Sequence, residues 1–199
     1  MGVKVALGCL GVIVIGVIVA VLSLGGTYNS LVSLDQAVQA QWAQVENVYQ
    51  RRADLVPNLV ETVKGAANFE KDTFTAVTEA RAKVGQVNLN PTGDPGAFQQ
   101  FQTAQDQLGS ALSRLMVVME KYPDLKATQN FRDLQAQLEG TENRISVERM
   151  RFNETAQAFN TKRNSFPTIF VAGFFGSKFN DKAYFKAQAG AETAPKVKF

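Results

Sequence analysis

The sequence predicts an all-α protein in which one transmembrane helix precedes a long antiparallel three-helix bundle with a short apolar C-terminal tail. Three observations lead to this prediction. One apolar segment near the N-terminus carries no charge, apolar residues recur every three or four positions afterwards, and short stretches rich in Gly, Pro and Asn separate these runs. We expect three parts, an anchor over residues 1–27, a helical bundle over 28–165 and a tail over 166–199.

The apolar segment covers residues 5–24, twenty residues without a charge. A helix of this length measures about 30 Å, which matches the hydrocarbon core of a bilayer. A cleaved signal peptide usually has an apolar region of only about 7–15 residues. The sequence Ser-Leu-Gly-Gly at 23–26 is also a poor cleavage site. We therefore interpret the segment as a retained, single-pass anchor.

The distribution of basic residues predicts the orientation of this anchor. Lys4 and the amino terminus precede it, whereas the next Lys or Arg is Arg51. Because basic residues favour the cytoplasmic side, we expect the N-terminus in the cytoplasm and the helical domain outside it.

The first helix of the bundle continues from the anchor. Apolar residues at helical spacing predict it, at Leu31, Leu34, Val38, Val45, Val48, Leu55, Leu59 and Val63. The pattern extends through Phe69, Phe74, Val77 and Val84, so we expect more than fifty residues, or about 75 Å. Pro57 removes the usual partner of the Ala53 carbonyl, which predicts a kink or break there and an exposed carbonyl relieved by solvent.

The remaining helices are predicted over residues 98–121 and 125–165, after a loop at 85–97 and around a turn at 122–124. Short loops between long amphipathic helices imply antiparallel neighbours. In the tail, the apolar run at 169–176 is too short to span a bilayer. It can cap the bundle of its own chain, lie in a membrane interface or pack on a neighbouring subunit.

The residue types exclude most catalytic chemistry. The chain has no histidine, and its one cysteine, Cys9, lies in the apolar segment. Ser-His-Asp and Cys-His arrangements and the usual zinc sites therefore cannot form. No Gly-rich phosphate loop of the GxxxxGK[ST] type occurs. We predict that the protein is not an enzyme, with no catalytic, cofactor-binding or metal-binding residues.

Polar residues offer one weaker alternative. Glu139 and Glu142 lie one helical turn apart, and further charged residues cluster in the first helix, at Glu46, Arg51, Arg52, Asp54 and Glu61. They would bind a ligand or a metal ion near Pro57 or at the Glu139/Glu142 turn. The simpler interpretation is surface charges paired with Arg144, Arg149 or Arg52.

The net charge of +3 is spread along the chain. A nucleic-acid interface needs basic residues gathered on one face, so we predict no nucleic-acid partner. The tail alone is biased, with Lys178, Lys182, Lys186, Lys196 and Lys198. This bias indicates either a solvated terminus or weak attraction to anionic headgroups.

Several segments together resemble the LemA family. They are YNSLV at 28–32, WAQVENVYQRRADLVPNLVETVKG at 42–65, TEARAKV at 78–84, YPDLKATQNFRDLQAQLEGTENRI at 122–145, and the tail phrases NTK at 160–162, SFP at 165–167 and AYF at 183–185. The resemblance covers nearly the whole chain after the anchor. It implies a bacterial membrane protein with one N-terminal helix and an antiparallel helical domain, located in the cell (inner) membrane. It brings no catalytic residues.

These observations lead to two hypotheses of function. The first is a membrane-anchored, non-enzymatic scaffold or assembly protein that presents helical surface to other copies of itself or to other membrane proteins. The second is a ligand- or metal-sensing membrane protein that uses the carboxylate and Arg groups of the bundle.

Overall fold

A computed structural model describes residues 2–64, 71–87 and 93–186, and every regular element in these ranges is helical. In chain order, the helices are α1 (Gly2–Lys64), α2 (Lys71–Val84), α3 (Pro95–Met119), α4 (Pro123–Lys126), α5 (Gln129–Asn164) and α6 (Thr168–Phe174). A 3-10 turn at Gly176–Phe179 follows α6, and an extended segment runs to residue 186. The predicted all-α class is confirmed.

The apolar segment and the first helix of the bundle form one continuous helix. α1 contains 63 residues and crosses positions 27 and 28 without interruption. It is the one helix of the described part that is long and apolar enough to cross a membrane, judged by length and composition. The described aliphatic side chains between Leu10 and Leu24 are all exposed in the isolated chain, as expected for a surface that lipid covers.

α5 lies antiparallel to α1 along most of the domain. Gln41 bonds Glu148 at 2.6 Å, and further along α1 Arg52 bonds Glu142 at 2.9 Å. Partners therefore move backwards along α5 as α1 advances. Three successive antiparallel helices, as predicted, would instead have made the first and the last of them parallel. Thr128 caps the start of α5, accepting a bond from the Phe131 amide, because the first amides of a helix have no partner inside it.

The structure differs from the predicted three-helix arrangement by one additional long helix. The prediction that the first helix runs on to Val84 is wrong, since α1 ends at Lys64 and α2 begins at Lys71. α2 returns antiparallel to α1: the Lys64 ammonium lies 5.1 Å from the Phe74 ring centre, and Arg81 reaches back to Ala53. The sequence pattern did not reveal this reversal, because apolar periodicity indicates which face of a helix is buried and carries no information on chain direction. Phe69 lies outside the described residues.

Pro57 does not break α1, although a break was one of the two expectations. The carbonyl of Ala53, which loses its usual amide partner to the proline ring, accepts a hydrogen bond from Nε of Arg81 at 3.1 Å. Solvent was expected to satisfy this carbonyl, and that expectation is wrong. A side chain from the neighbouring helix α2 satisfies it and joins the two helices there.

The buried apolar residues in the described ranges form two clusters. The anchor-side core lies nearer the apolar segment and is rich in aromatic rings, among them Trp42, Phe98, Phe101, Phe152 and Phe185. The far core lies beyond it and is mainly aliphatic, with Leu55, Leu59, Val77, Leu108 and Leu115 among its members. α1, α3 and α5 contribute to both cores. α2 covers the far core, whereas α6 and the extended C-terminal segment cover the anchor-side core.

Candidate functional site

A polar groove opens between α3 and α5. Its volume is about 1200 Å³. α3 contributes Ser110, Ser113 and Arg114, and α5 contributes Glu139 and Asn143, all of them exposed. The floor is formed by α1. A cleft of this size lined by accessible polar groups can take a polar segment of another molecule, since ligand sites commonly fall between the helices of a bundle.

Arg52 forms part of the groove floor and is only 3% exposed. Its Nη1 donates to Glu142 at 2.9 Å. Its Nη2 donates to the Gln105 backbone carbonyl at 2.9 Å and to the Gln105 side-chain oxygen at 2.6 Å. Its Nε has no hydrogen-bond partner in the described part of the chain. A buried cation requires such pairing because removal from water is costly, so Arg52 connects α1, α3 and α5 at one level.

Tyr49 lies one turn before Arg52, whose guanidinium carbon is 5.0 Å from the centre of the Tyr49 ring. Burial raises the pKa of Tyr49, although the positive charges of Arg149 and Arg52 act in the opposite direction. The phenol is therefore neutral at physiological pH, and Glu142 is the anionic partner of Arg52. The floor combines a paired cation with a neutral aromatic face.

The C-terminal segment docks beside this groove through paired hydrogen bonds to two asparagines of α5. Asn160 donates to the Lys182 carbonyl at 2.9 Å and accepts from the Lys182 amide at 2.8 Å. Asn153 does the same for Phe185, at 3.0 and 2.9 Å. The distance along α5 from Asn153 to Asn160, two helical turns, is about 10 Å, and the three extended residues from Lys182 to Phe185 cover the same length. The asparagines thus act on the extended backbone as a neighbouring strand would.

Charged contacts add to this docking. The Lys182 ammonium is 2.6 Å from a carboxylate oxygen of Asp35 on α1, and its side chain is almost fully buried. The carbonyl of Lys186, at the end of the described segment, accepts from Arg149 at 2.6 Å and from Gln102 at 3.1 Å. The prediction of a solvated basic tail is therefore wrong for Lys182. Lys196 and Lys198 lie outside the described residues.

The apolar run at 169–176 divides between two environments. Val171 and Ala172 are buried in the anchor-side core, so this face of α6 packs on the bundle of its own chain. Ile169, Phe170 and Phe174 are exposed on the other side. Of the three interpretations offered by the sequence, bundle capping accounts for only one face of α6.

The structure brings together only some of the predicted polar residues. Arg52 and Glu142 form a pair, and Glu139 lines the same groove while accepting a bond from Gln135 at 2.9 Å. The other residues of the first helix remain apart from them, with Asp54 bonded to Gln50 and Glu61 paired with Lys64. Arg51 is exposed, and Glu46 lines a separate pocket between α1 and α2.

Within the described ranges, no three His, Cys, Asp or Glu side chains gather in a way that could hold a metal ion. Sequence reasoning overlooked Gln105, Asn153 and Asn160. The two asparagines carried a usable signal, because asparagine is unfavourable inside a helix unless its side chain has a defined partner. Their spacing of seven places both on one face.

Fold and site together define a class, that of a helical-bundle protein with a long apolar N-terminal helix and a polar interhelical groove. The chain belongs to the LemA family, whose sequence model matches residues 41–199. This confirms the resemblance predicted from the sequence.

Named relatives agree with this assignment. The chain is 26% identical to Magnetosome protein MamQ 2 of Paramagnetospirillum magneticum, over 90% of this chain and 72% of that protein. It is 26% identical to Magnetosome protein MamQ of Magnetospirillum gryphiswaldense, over 92% and 74%. It is 24% identical to Protein LemA of Metamycoplasma hominis, over 74% and 64%. Together with the apolar helix, these relatives identify a LemA-type membrane-associated protein.

Proposed function

We propose that this protein is a membrane-anchored, non-enzymatic assembly protein. Residues 5–24 cross the cell membrane once, and the bundle presents the groove between α3 and α5 to a second copy or to another membrane protein. The observation that carries the proposal is the continuity of α1, which runs without interruption from the apolar segment into both cores. A continuous helix holds the bundle at a defined height, whereas a flexible linker would not.

The height of the groove follows from helix geometry. Arg52 lies 28 residues beyond Leu24 in the same helix, which corresponds to about 42 Å at the standard rise. The groove therefore stands well beyond the headgroups, where a partner anchored in the same membrane can reach it with its own extramembrane domain. Its exposed Ser, Asn and Arg side chains favour a polar partner surface over an apolar helix.

Self-association is tested on the full-length chain in detergent by light scattering, where the proposal expects an oligomer. To place the contact, single cysteines are introduced in a Cys9→Ser background at Ser113, inside the groove, and at Gln107, on the same helix outside it. Homobifunctional crosslinking should join copies through the Ser113 position and much less through the Gln107 control. A strict monomer at every concentration would remove self-association, and equal crosslinking at both positions would remove the groove as its site.

Orientation is a further part of the proposal. Lys4 lies directly before the apolar segment, whereas the first basic residue after it is Arg51. This distribution supports a cytoplasmic N-terminus and a domain outside the cytoplasm. A single cysteine at Ser33, in the Cys9→Ser background, tests this on intact cells. Labelling of the Ser33 position by a membrane-impermeant maleimide is the expected result, and labelling only after lysis would reverse the orientation.

A second candidate function is the sensing of an anionic ligand. The buried Nε of Arg52 at the groove floor favours it, since this nitrogen has no partner among the described residues. Melting of the full-length protein is measured with inorganic phosphate and with acetate. A rise in melting temperature that Arg52→Lys removes would support sensing. For the metal version, elemental analysis of the purified protein and melting with divalent ions provide the test, and no bound metal together with no shift would reject it.

A further inference from the structure

We propose that Phe166, Phe170 and Phe174 form an interfacial patch that inserts into the bilayer beside the anchor, so that the domain contacts the membrane at a second point. The inference rests on the proposed transmembrane anchor. The geometry that leads to it is the set of exposed phenylalanines on and before α6, together with the contact of the C-terminal end of α6 with α1 just beyond the apolar segment.

The three rings are among the most exposed apolar side chains described. Phe166 is 82% exposed, Phe170 70% and Phe174 86%. Phe170 and Phe174 are four residues apart and share one side of α6. Phe166 precedes α6, and its ring lies 6.0 Å from that of Phe170, between centroids. A contiguous apolar patch of this kind marks an interaction surface.

The opposite face of α6 is held by the protein. Thr168, Val171 and Ala172 are buried, the last two in the anchor-side core. α6 is therefore fixed in place by one face, and the phenylalanine face points outward. Bundle packing explains why the helix is there, but not why its outer face is aromatic.

Two phenylalanines that follow α6, Phe175 and Phe179, contact α1 near the end of the apolar segment. The ring of Tyr28 lies 4.7 Å from Phe175 and 5.7 Å from Phe179, between centroids. Tyr28 follows Leu24 by four residues in the same helix, which is about 6 Å along its axis. The Phe175 ring lies 5.3 Å from that of Phe174, between centroids, which connects the patch to α1 about one helical turn beyond the apolar segment.

The polar border of the patch matches a lipid headgroup region. Lys178 donates a hydrogen bond to the Tyr28 hydroxyl, and its ammonium lies 4.8 Å from the centre of the Tyr28 ring. Tyrosine and lysine are typical of membrane interfaces, where a ring meets the acyl boundary and an ammonium meets phosphate. A bilayer covers the patch at this height without any additional partner, whereas a second copy would have to present a matching surface at the same level.

Depth-dependent quenching in proteoliposomes tests the proposal with the full-length chain. Single cysteines replace Phe170 or Phe174 in the Cys9→Ser background and carry an environment-sensitive fluorophore. The vesicles contain phosphatidylcholine and phosphatidylglycerol with nitroxides at graded depths. The matched control is Val117→Cys, because Val117 is 68% exposed on α3 near the far core.

We expect labels at positions 170 and 174 to be quenched most by nitroxides about 5–10 Å below the headgroups, as for other interfacial helices, and to be shielded from iodide. The label at 117 should show the reverse. Iodide quenching at 170 and 174 equal to that at 117 would overturn the proposal. If the labels at 170 and 174 were shielded from both nitroxides and iodide, and pyrene attached at these positions formed excimers between copies, the patch would be a subunit contact and the proposal would be overturned.

Alkaline carbonate extraction of the same vesicles tests the transmembrane anchor independently of the patch. Protein that stays in the pellet while positions 170 and 174 remain aqueous refutes the patch and leaves the anchor intact. Protein that is extracted, but whose labels were quenched by lipid nitroxides beforehand, supports the patch and refutes the anchor.

Discussion

The two cores of this molecule are closed in different ways. The far core is covered by α2, which packs apolar side chains such as Val77 and Ala80 into it. The anchor-side core is covered by α6 and an extended segment, which asparagine side chains hold by its backbone. Burial of apolar area supports the first arrangement, whereas the second also depends on a few hydrogen bonds of defined geometry. Mutations should therefore affect the two regions through different mechanisms.

Truncation of a central ring should have the largest effect. Phe152 is fully buried and lies 5.5 Å from both Trp42 and Phe185, between centroids. Phe152→Ala should lower the free energy of unfolding by about 3–5 kcal/mol, because it removes apolar contacts and leaves a cavity. Leu108→Ala in the far core is the matched comparison and should cost about 2–5 kcal/mol.

Urea unfolding in detergent, followed by tryptophan fluorescence, measures both variants. Because Trp42 contacts Phe152, the emission of the folded protein should shift in Phe152→Ala and stay unchanged in Leu108→Ala. A loss of less than about 1 kcal/mol for Phe152→Ala, far below the usual range, would show that the anchor-side core is not tightly packed.

The boundary between the two cores should be nearly as sensitive. Arg52→Ala leaves Gln105 without its partner and removes the side chain that forms part of the groove floor. We expect it to lower the free energy of unfolding by about 3 kcal/mol. This is the lower end of the range for breaking a buried ion pair, because Glu142 is half exposed to water. Arg51→Ala changes an exposed neighbour and should stay within about 0.5 kcal/mol. Thermal unfolding of the two variants side by side measures the difference. Equal effects would mean that the Arg52 network does not stabilise the fold.

Loss of an asparagine pair should act on the anchor-side core alone. Asn153→Ala removes two hydrogen bonds to Phe185 and should cost about 1–3 kcal/mol. Asn143→Ala, an exposed change on the same helix, is the control. Hydrogen exchange should show loss of protection over residues 180–186, with α2 and the far part of α3 unaffected. Uniform loss of protection would contradict the independence of the two closures.

The smallest effect concerns the contact between α1 and α2. Arg81→Ala removes the donor to the Ala53 carbonyl and should cost about 1 kcal/mol. In a Pro57→Ala background the amide at position 57 is available to that carbonyl, so the same change should cost almost nothing. A double-mutant cycle measures this coupling, and purely additive effects would show that Arg81 does not compensate for the proline.

The comparison also explains which features could be predicted. Leu31, Val38 and Val45 were correctly assigned to one buried stripe, since apolar spacing reports the face of a helix that avoids water. The reversal between Lys64 and Lys71 was missed, because the stripe of α2 follows that of α1 at a compatible spacing. Of the candidate polar residues, Arg52 and Glu142 do meet, 90 positions apart, but neighbouring charges such as Asp54 have an equally helical pattern and remain on the surface.

The sequence by itself determined the all-α class, the apolar segment at 5–24 and the family, because these depend on composition and local spacing. Tertiary structure alone decided that α2 folds back, that Arg81 satisfies the carbonyl opposite Pro57, that Asn153 and Asn160 hold the C-terminal segment, and that one face of α6 stays exposed beside the anchor. Each of these depends on which surfaces meet in three dimensions. Helical periodicity predicts which face is buried, but packing across the whole chain determines which surface covers that face.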